Sequence, residues 1–204
     1  IGVPEGAPPM DKAPDQLYRP ATATEARADV DAMATRHPTL IKVWVDDFHH
    51  SVPRKMPPEI YDVVIDQAHR DGIRGAAHVY YLSDAKRLVE YGADVLAHGV
   101  RDEPVDQAFV DLLKQHGTWY IATLQLDESF YIYAQRPQWM QTSFFKAGVQ
   151  PQLGKLFQSE AWRAKALAPA TLGVNQHSLA TNQANLYRLY KAGVKIGFGT
   201  GSGA

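Results

Sequence analysis

Apolar residues along the chain fall into two alternating periods. ATEARADVDAMATRH, residues 23–37, carries Ala26, Val30 and Met33 at helical spacing behind Thr22 or Thr24 as a cap, and Pro38 ends it. LIKVWVDD then alternates strictly, with Ile41, Val43 and Val45 on one face and Leu40, Lys42 and Trp44 on the other, as a strand does. Pro57 and Pro58 open a helix whose Ile60, Val63, Val64 and Ala68 form an apolar stripe closed by Gly72. GAAHV follows as a strand. Ser83 is placed to cap the next helix, Leu88 and Val89 face its core side, and Gly92 ends it before the strand DVLAHGV. VDQAFVDLLKQH ends at Gly117 and feeds TWYIATL, and a helix around NLYRLYKA ends at Gly193 and feeds VKIGFGT.

One device therefore recurs: helix, glycine, short apolar strand. Strands alternating with helices at this spacing predict right-handed βαβ units on a parallel sheet, hence an α/β protein. Roughly five such strands are legible, where a closed (β/α)8 barrel needs eight and about 250 residues. That deficit, a proline-rich opening and an ending straight after an apparent strand lead to the expectation of an incomplete TIM barrel, part of a longer polypeptide. Residues 125–176 break the rhythm with a long insertion rich in aromatics, among them Tyr133, Trp139, Phe157 and Trp162. Insertions after barrel strands usually shape or cover the pocket. No second-domain boundary shows, so residues 1–204 read as one partial barrel domain.

Composition narrows the chemistry. A formal net charge of -1 gives no electrostatic case for nucleic acid or an anionic membrane. There is no long uncharged apolar run to span a membrane. With no cysteine, any metal must be held by histidine, carboxylate or something rarer. The edges of an open barrel invite pairing, which makes a homo-oligomer a candidate state.

Three residues stand out. Parallel strands joined by a helix point the same way, so His78 and His98 should emerge at one C-terminal sheet edge, where ligands and metals sit in such folds. Neutral imidazoles there suit zinc and similar divalent cations. Lys42 lies opposite the helix-facing residues of its own strand, where a buried ammonium is costly unless it pairs or loses its proton. One reading is an ion pair with Asp46 or Asp47, or an amine reaching water past the strand end. The other is a neutral amine that has taken up carbon dioxide, giving a carbamate able to bridge cations. His37, His49, His50, His69, His116 and His177 read as structural.

The order IKVWVDD, AAHVYYLSDAKRLVEYGADVLAHGVRD, IATL and IGFGTGSGA resembles the metal-dependent amidohydrolase superfamily, nearest its imidazolonepropionase-like and prolidase-like branches. The resemblance runs from about the third barrel unit to the eighth strand. It implies that Lys42 is the carbamylated lysine ending the fourth strand. His78 and His98 would be the histidines ending the fifth and sixth, together holding one or two divalent ions, zinc first among them. The implied activity is hydrolysis of an amide or other C–N bond by metal-activated water, with a dipeptide or N-acyl amino acid as the small-molecule substrate. Two departures stand against it. The first-strand His-x-His pair is absent, and Gly201 occupies the position of the eighth-strand aspartate that acts as general base, so hydrolysis by this sequence is expected to be impaired. The alternative is a degenerate barrel that binds a small ligand or serves as a structural subunit.

Position supplies further candidates. Tyr80, two residues past His78, can donate to a substrate carbonyl or oxyanion, and Arg101 can grip a substrate carboxylate. The plainer readings are a rim tyrosine and a surface ion pair with Asp102 or Glu103. Asp127 and Glu128 could meet a substrate amine. Asp46 and Asp47 could orient ligands, against the preferred reading of a solvated strand end. Ser202 has no partner suggesting a nucleophile.

Overall fold

The first four of the helix–strand passages foreseen from the pattern form, and they build one parallel sheet. The protein is seen in a computed structural model that describes residues 1–6, 17–47 and 52–201; His49, His50 and Ser202 lie outside these. Helix α1 (Ala23–Ala34) is capped by the Thr22 hydroxyl, which accepts from Glu25 N–H. Strand β1 (Leu40–Trp44) leads through α2 (Pro58–Arg70) to β2 (Arg74–His78), then α3 (Leu82–Glu90) to β3 (Val95–Ala97), then α4 (Gln107–His116) to β4 (Trp119–Ile121). The strands lie in the order β1-β2-β3-β4, all parallel, with Trp44 opposite His78, His78 opposite Ala97 and Ala97 opposite Ile121.

The two faces of this sheet differ, and strand alternation explains how. Ile41, Val43, Ala77, Leu96 and Tyr120 share one face and are buried beneath α2, α3 and α4. Leu40, Lys42, Trp44, Ala76, His78, Val95, Ala97, Trp119 and Ile121 share the other, where Leu40 and Trp119 stay exposed at the N-terminal rim. So among the described residues helices cover the sheet on one side only. The expectation of a core on both faces holds only toward the strand ends that carry the histidines.

The fifth expected strand does not form a regular strand. Its backbone runs beside β4 all the same: Tyr120 N–H donates to the Lys195 carbonyl and Gly197 N–H to the Tyr120 carbonyl, both at 2.9 Å, forming an isolated bridge at Ile196. A Cβ at Gly197 or Gly199 would stand 2.9 Å from the Ile121 side chain, so glycine lets the segment come this close.

The 125–176 insertion is helical. It holds α5 (Leu124–Ser129), α6 (Ile132–Gln135), a 3-10 turn at Gln138–Gln141, α7 (Ser143–Gly148), α8 (Pro151–Gln158) and α9 (Glu160–Ala166), and runs into the long α10 (Pro169–Lys191). His177 lies within α10.

Candidate active site

Lys42, His78 and His98, far apart in sequence, meet at the strand ends on the open face. Lys42 Nζ lies 2.9 Å from His98 Nε2, and the His78 and His98 ring centroids are 4.2 Å apart. The position of His98 is not what alternation alone gives. Strict alternation after Ala97 would send it to the helix-covered side with Leu96. Instead it has φ +76°, and Gly99 follows at +75°, a left-handed turn that brings its ring to the Lys42 side. A non-glycine residue held there stores strain that its surroundings must offset, a circumstance that recurs at functional sites.

The surroundings do offset it. His98 N–H donates to the Ile121 carbonyl, and the His98 carbonyl accepts from Arg101 Nη1 at 2.6 Å and Asn182 Nδ2 at 3.3 Å. On the ring, Nδ1 lies 3.0 Å from Thr123 Oγ1, leaving Nε2 aimed at Lys42. His78 is fixed by a different partner, with its Nε2 2.7 Å from Asp46 Oδ2 and its ring stacked on Trp44 at 4.4 Å.

Burial sets the charge states. It is the main cause pushing His98 down to about 2, with His78, Lys42 and Arg101 adding to it. Burial also lowers His78 against the pull of Asp46, and lowers the Lys42 amine, again against Asp46. The site thus favours neutral imidazoles and shifts Lys42 toward the uncharged amine, the form of lysine that can add carbon dioxide.

Asp46 and Asp47 are not the solvated strand end favoured from sequence. Both are buried; Asp46 engages His78, and Asp47 accepts from the Tyr81 hydroxyl at 2.8 Å. Arg101 is neither a surface pair with Asp102 or Glu103 nor open to a substrate. It is buried, with Nε 3.0 Å from Asp127 Oδ1 and Nη1 donating to the carbonyls of Val79, His98 and Gly99. Asp127 is likewise engaged rather than presented to a substrate amine, and also accepts from Asn182. Tyr80 is buried too, its hydroxyl 3.0 Å from Ser178 Oγ and its ring beneath the Arg101 guanidinium at 4.8 Å. These two side chains build the floor that holds His98. Gly201, with φ +69°, borders the site: a Cβ there would lie 3.8 Å from His98 Nδ1.

Sequence reading missed the polar stripe on α10. Ser178, Asn182 and Asn185, at spacings of four and three, bury their side chains against the strand-end loops. Asn182 donates to the His98 and Ala122 carbonyls and Asn185 to those of Val100 and Glu103. A run of small polar residues at helical spacing was the available signal, hidden because it buries amides where a core stripe is expected to be apolar.

Among the described residues no three His, Cys, Asp or Glu side chains form a ready-made cation site. Two imidazoles and a neutral amine become one in company with a carboxylate, which carbamylation of Lys42 would create and which Gly201 does not provide.

The class this fold defines is a parallel α/β protein, and several solved hydrolase structures share that fold. A putative prolidase from Bifidobacterium longum superposes with a TM-score of 0.68 at 17% identity, covering 97% of this chain and 43% of that one. A Xaa-Pro dipeptidase with methionine bound in its active site gives 0.64 at 22% identity, covering 100% and 46%. The ochratoxinase of A. niger gives 0.64 at 20%, covering 89% and 35%. The chain spans less than half the length of each of these. No protein-family model and no curated protein matches it.

Proposed function

We propose that the chain contributes roughly strands four to eight of a (β/α)8 barrel and that the whole protein is a metal-dependent amidohydrolase. It would hydrolyse an amide or other C–N bond of a dipeptide or N-acyl amino acid. The observation that carries this reading is the contact between Lys42 Nζ and His98 Nε2 at 2.9 Å, beside His78, at the C-terminal ends of the strands where both histidines are buried. The carbamate of Lys42 and the imidazoles of His98 and His78 would hold one or two divalent ions, zinc being the ion this donor set suits. Such an ion, when bound, supplies Lewis-acid polarisation of the scissile carbonyl and activates water at neutral pH. The chain's own residues have separate tasks. Asp46 orients His78 by holding its other ring nitrogen, as partners of ligating histidines do. Thr123 does the same for His98, and Asn182 with Arg101 pins the turn that presents that ring. Burial lowers both imidazoles, which keeps their donor lone pairs available, and lowers the Lys42 amine toward the form that can be carbamylated. No residue of the described chain takes the general-base role at position 201.

That gap supports a second reading, a catalytically degenerate barrel that binds a small ligand. One experiment separates them. The complete protein, produced with divalent metal and bicarbonate, is analysed for metal and screened against dipeptides and N-acyl amino acids. Stoichiometric metal with turnover is expected, and Lys42→Ala or His98→Ala should lower metal affinity at least tenfold. Metal-free wild-type protein that turns over nothing would overturn the enzyme and leave the binder.

A further inference from the structure

We propose that the concavity between Gly201 and the aromatic helices of the insertion receives a bulky, uncharged, apolar group of the substrate, on the acyl side of the bond cleaved. The proposal rests on the amidohydrolase reading and names the substrate class of that site. The concavity has a volume of about 400 Å³, within the range of small-ligand pockets. Gly201 and Leu126 both line it, and Gly201 borders His98. A molecule with its reacting bond at Lys42 and His98 would therefore extend its neighbouring substituent into it.

The walls define what fits. Tyr133 and Phe157 stack at 4.4 Å with only 8° between their planes, and Trp162 packs on Phe157 at 5.6 Å. Mutual packing braces this wall, and few rotamers are lost when a ligand lies on it. Around the mouth Phe130, Leu153 and Leu156 are 51%, 43% and 39% exposed, apolar area that an occupant would remove from water. None of the lining residues carries a charge, and the Ser129 hydroxyl is spent on the Leu126 carbonyl at 2.7 Å. A charged substituent entering would shed its hydration without gaining a counterion, which selects against it.

The test uses the complete protein and a series of N-acetyl, N-hexanoyl and N-phenylacetyl amino acids. Dissociation constants are measured on chelator-treated protein, so binding is read without turnover, and kcat/KM on the metal-loaded form. The phenylacetyl compound should bind at least tenfold tighter than the acetyl one. Leu156→Lys, at the mouth, should bring that ratio close to one. Phe144→Ser, which is 90% exposed and outside this concavity, should leave it intact. Equal binding across the series, or a ratio that survives Leu156→Lys, overturns the proposal. Discrimination in binding without hydrolysis keeps the pocket and refutes the hydrolase, whereas hydrolysis indifferent to the acyl group does the reverse.

Discussion

Gly201 stands where the resemblance implies an aspartate, and its geometry leaves room for one. Its φ of +69° lies where aspartate is among the few side chains tolerated, at roughly 1 kcal/mol of strain. A Cβ would meet Leu126 Cβ at 3.4 Å and Thr123 Cβ at 3.7 Å, ordinary contacts, so no backbone need shift. Gly201→Asp should therefore fold, put a carboxylate beside His98 and raise both metal content and turnover, the latter by about 100-fold or more if a positioned general base is what is lacking. Gly201→Asn, alike in shape but uncharged, should do neither. No gain in kcat from the aspartate would mean that the base is not what limits the protein. Lys42 was legible from sequence because strict alternation set it against Ile41 and Val43. The turn at His98 was not, since a left-handed histidine has no local signature and depends on Asn182, 84 residues away. The buried pair of Arg101 and Asp127 was hidden for the same reason: both residues leave strand ends, where sequence suggests solvent.

At the level of elements, helix starts show where local rules suffice and where tertiary structure overrides them. Asp106 caps α4, accepting from Phe109 N–H at 2.9 Å with extended backbone at φ -97°. Asp106→Ala should cost about 1 kcal/mol, read as a lower urea midpoint at unchanged slope. Little of that loss would come from its exposed bridge to Lys86. Helix α3 behaves otherwise. Ser83, expected as its cap, lies inside the first turn, because the helix begins at Leu82 and Leu82 N–H donates to Asp102 Oδ1 at 3.0 Å. A carboxylate from the next strand-end loop does the capping, a partner that no local pattern reveals. The insertion was recognised by its aromatics, but its division into short helices was not, since helices of four to eight residues there carry too few turns to show a period.

For the whole molecule, the buried centre ties stability to pH, and the direction can be worked out. His98 falls from an ordinary 6.5 to about 2 on folding, and His78 is lowered as well. Below pH 6.5 the unfolded chain thus binds protons that the folded one refuses, and stability drops as pH falls from 6.5 toward 2. The lowered Lys42 amine acts in the same direction at higher pH, because the unfolded chain holds that proton as well. Asp62 opposes them: burial raises it to about 6, so between 3.8 and about 6 it makes the fold less stable as pH rises. Comparing variants removes this term, because Asp62 is common to both proteins. In chelator-treated protein, stability by urea titration should fall more steeply below pH 6.5 for wild type than for His98→Gln, which keeps polar contacts toward Lys42 and Thr123 without a titrating ring. The difference in slope can reach about 1.4 kcal/mol per pH unit, one proton's worth. Parallel slopes would mean that His98 protonates freely in the folded state, which its enclosure by His78, Lys42 and Thr123 does not allow. Bound cations would reinforce the same trend, since protons compete with them for the imidazoles.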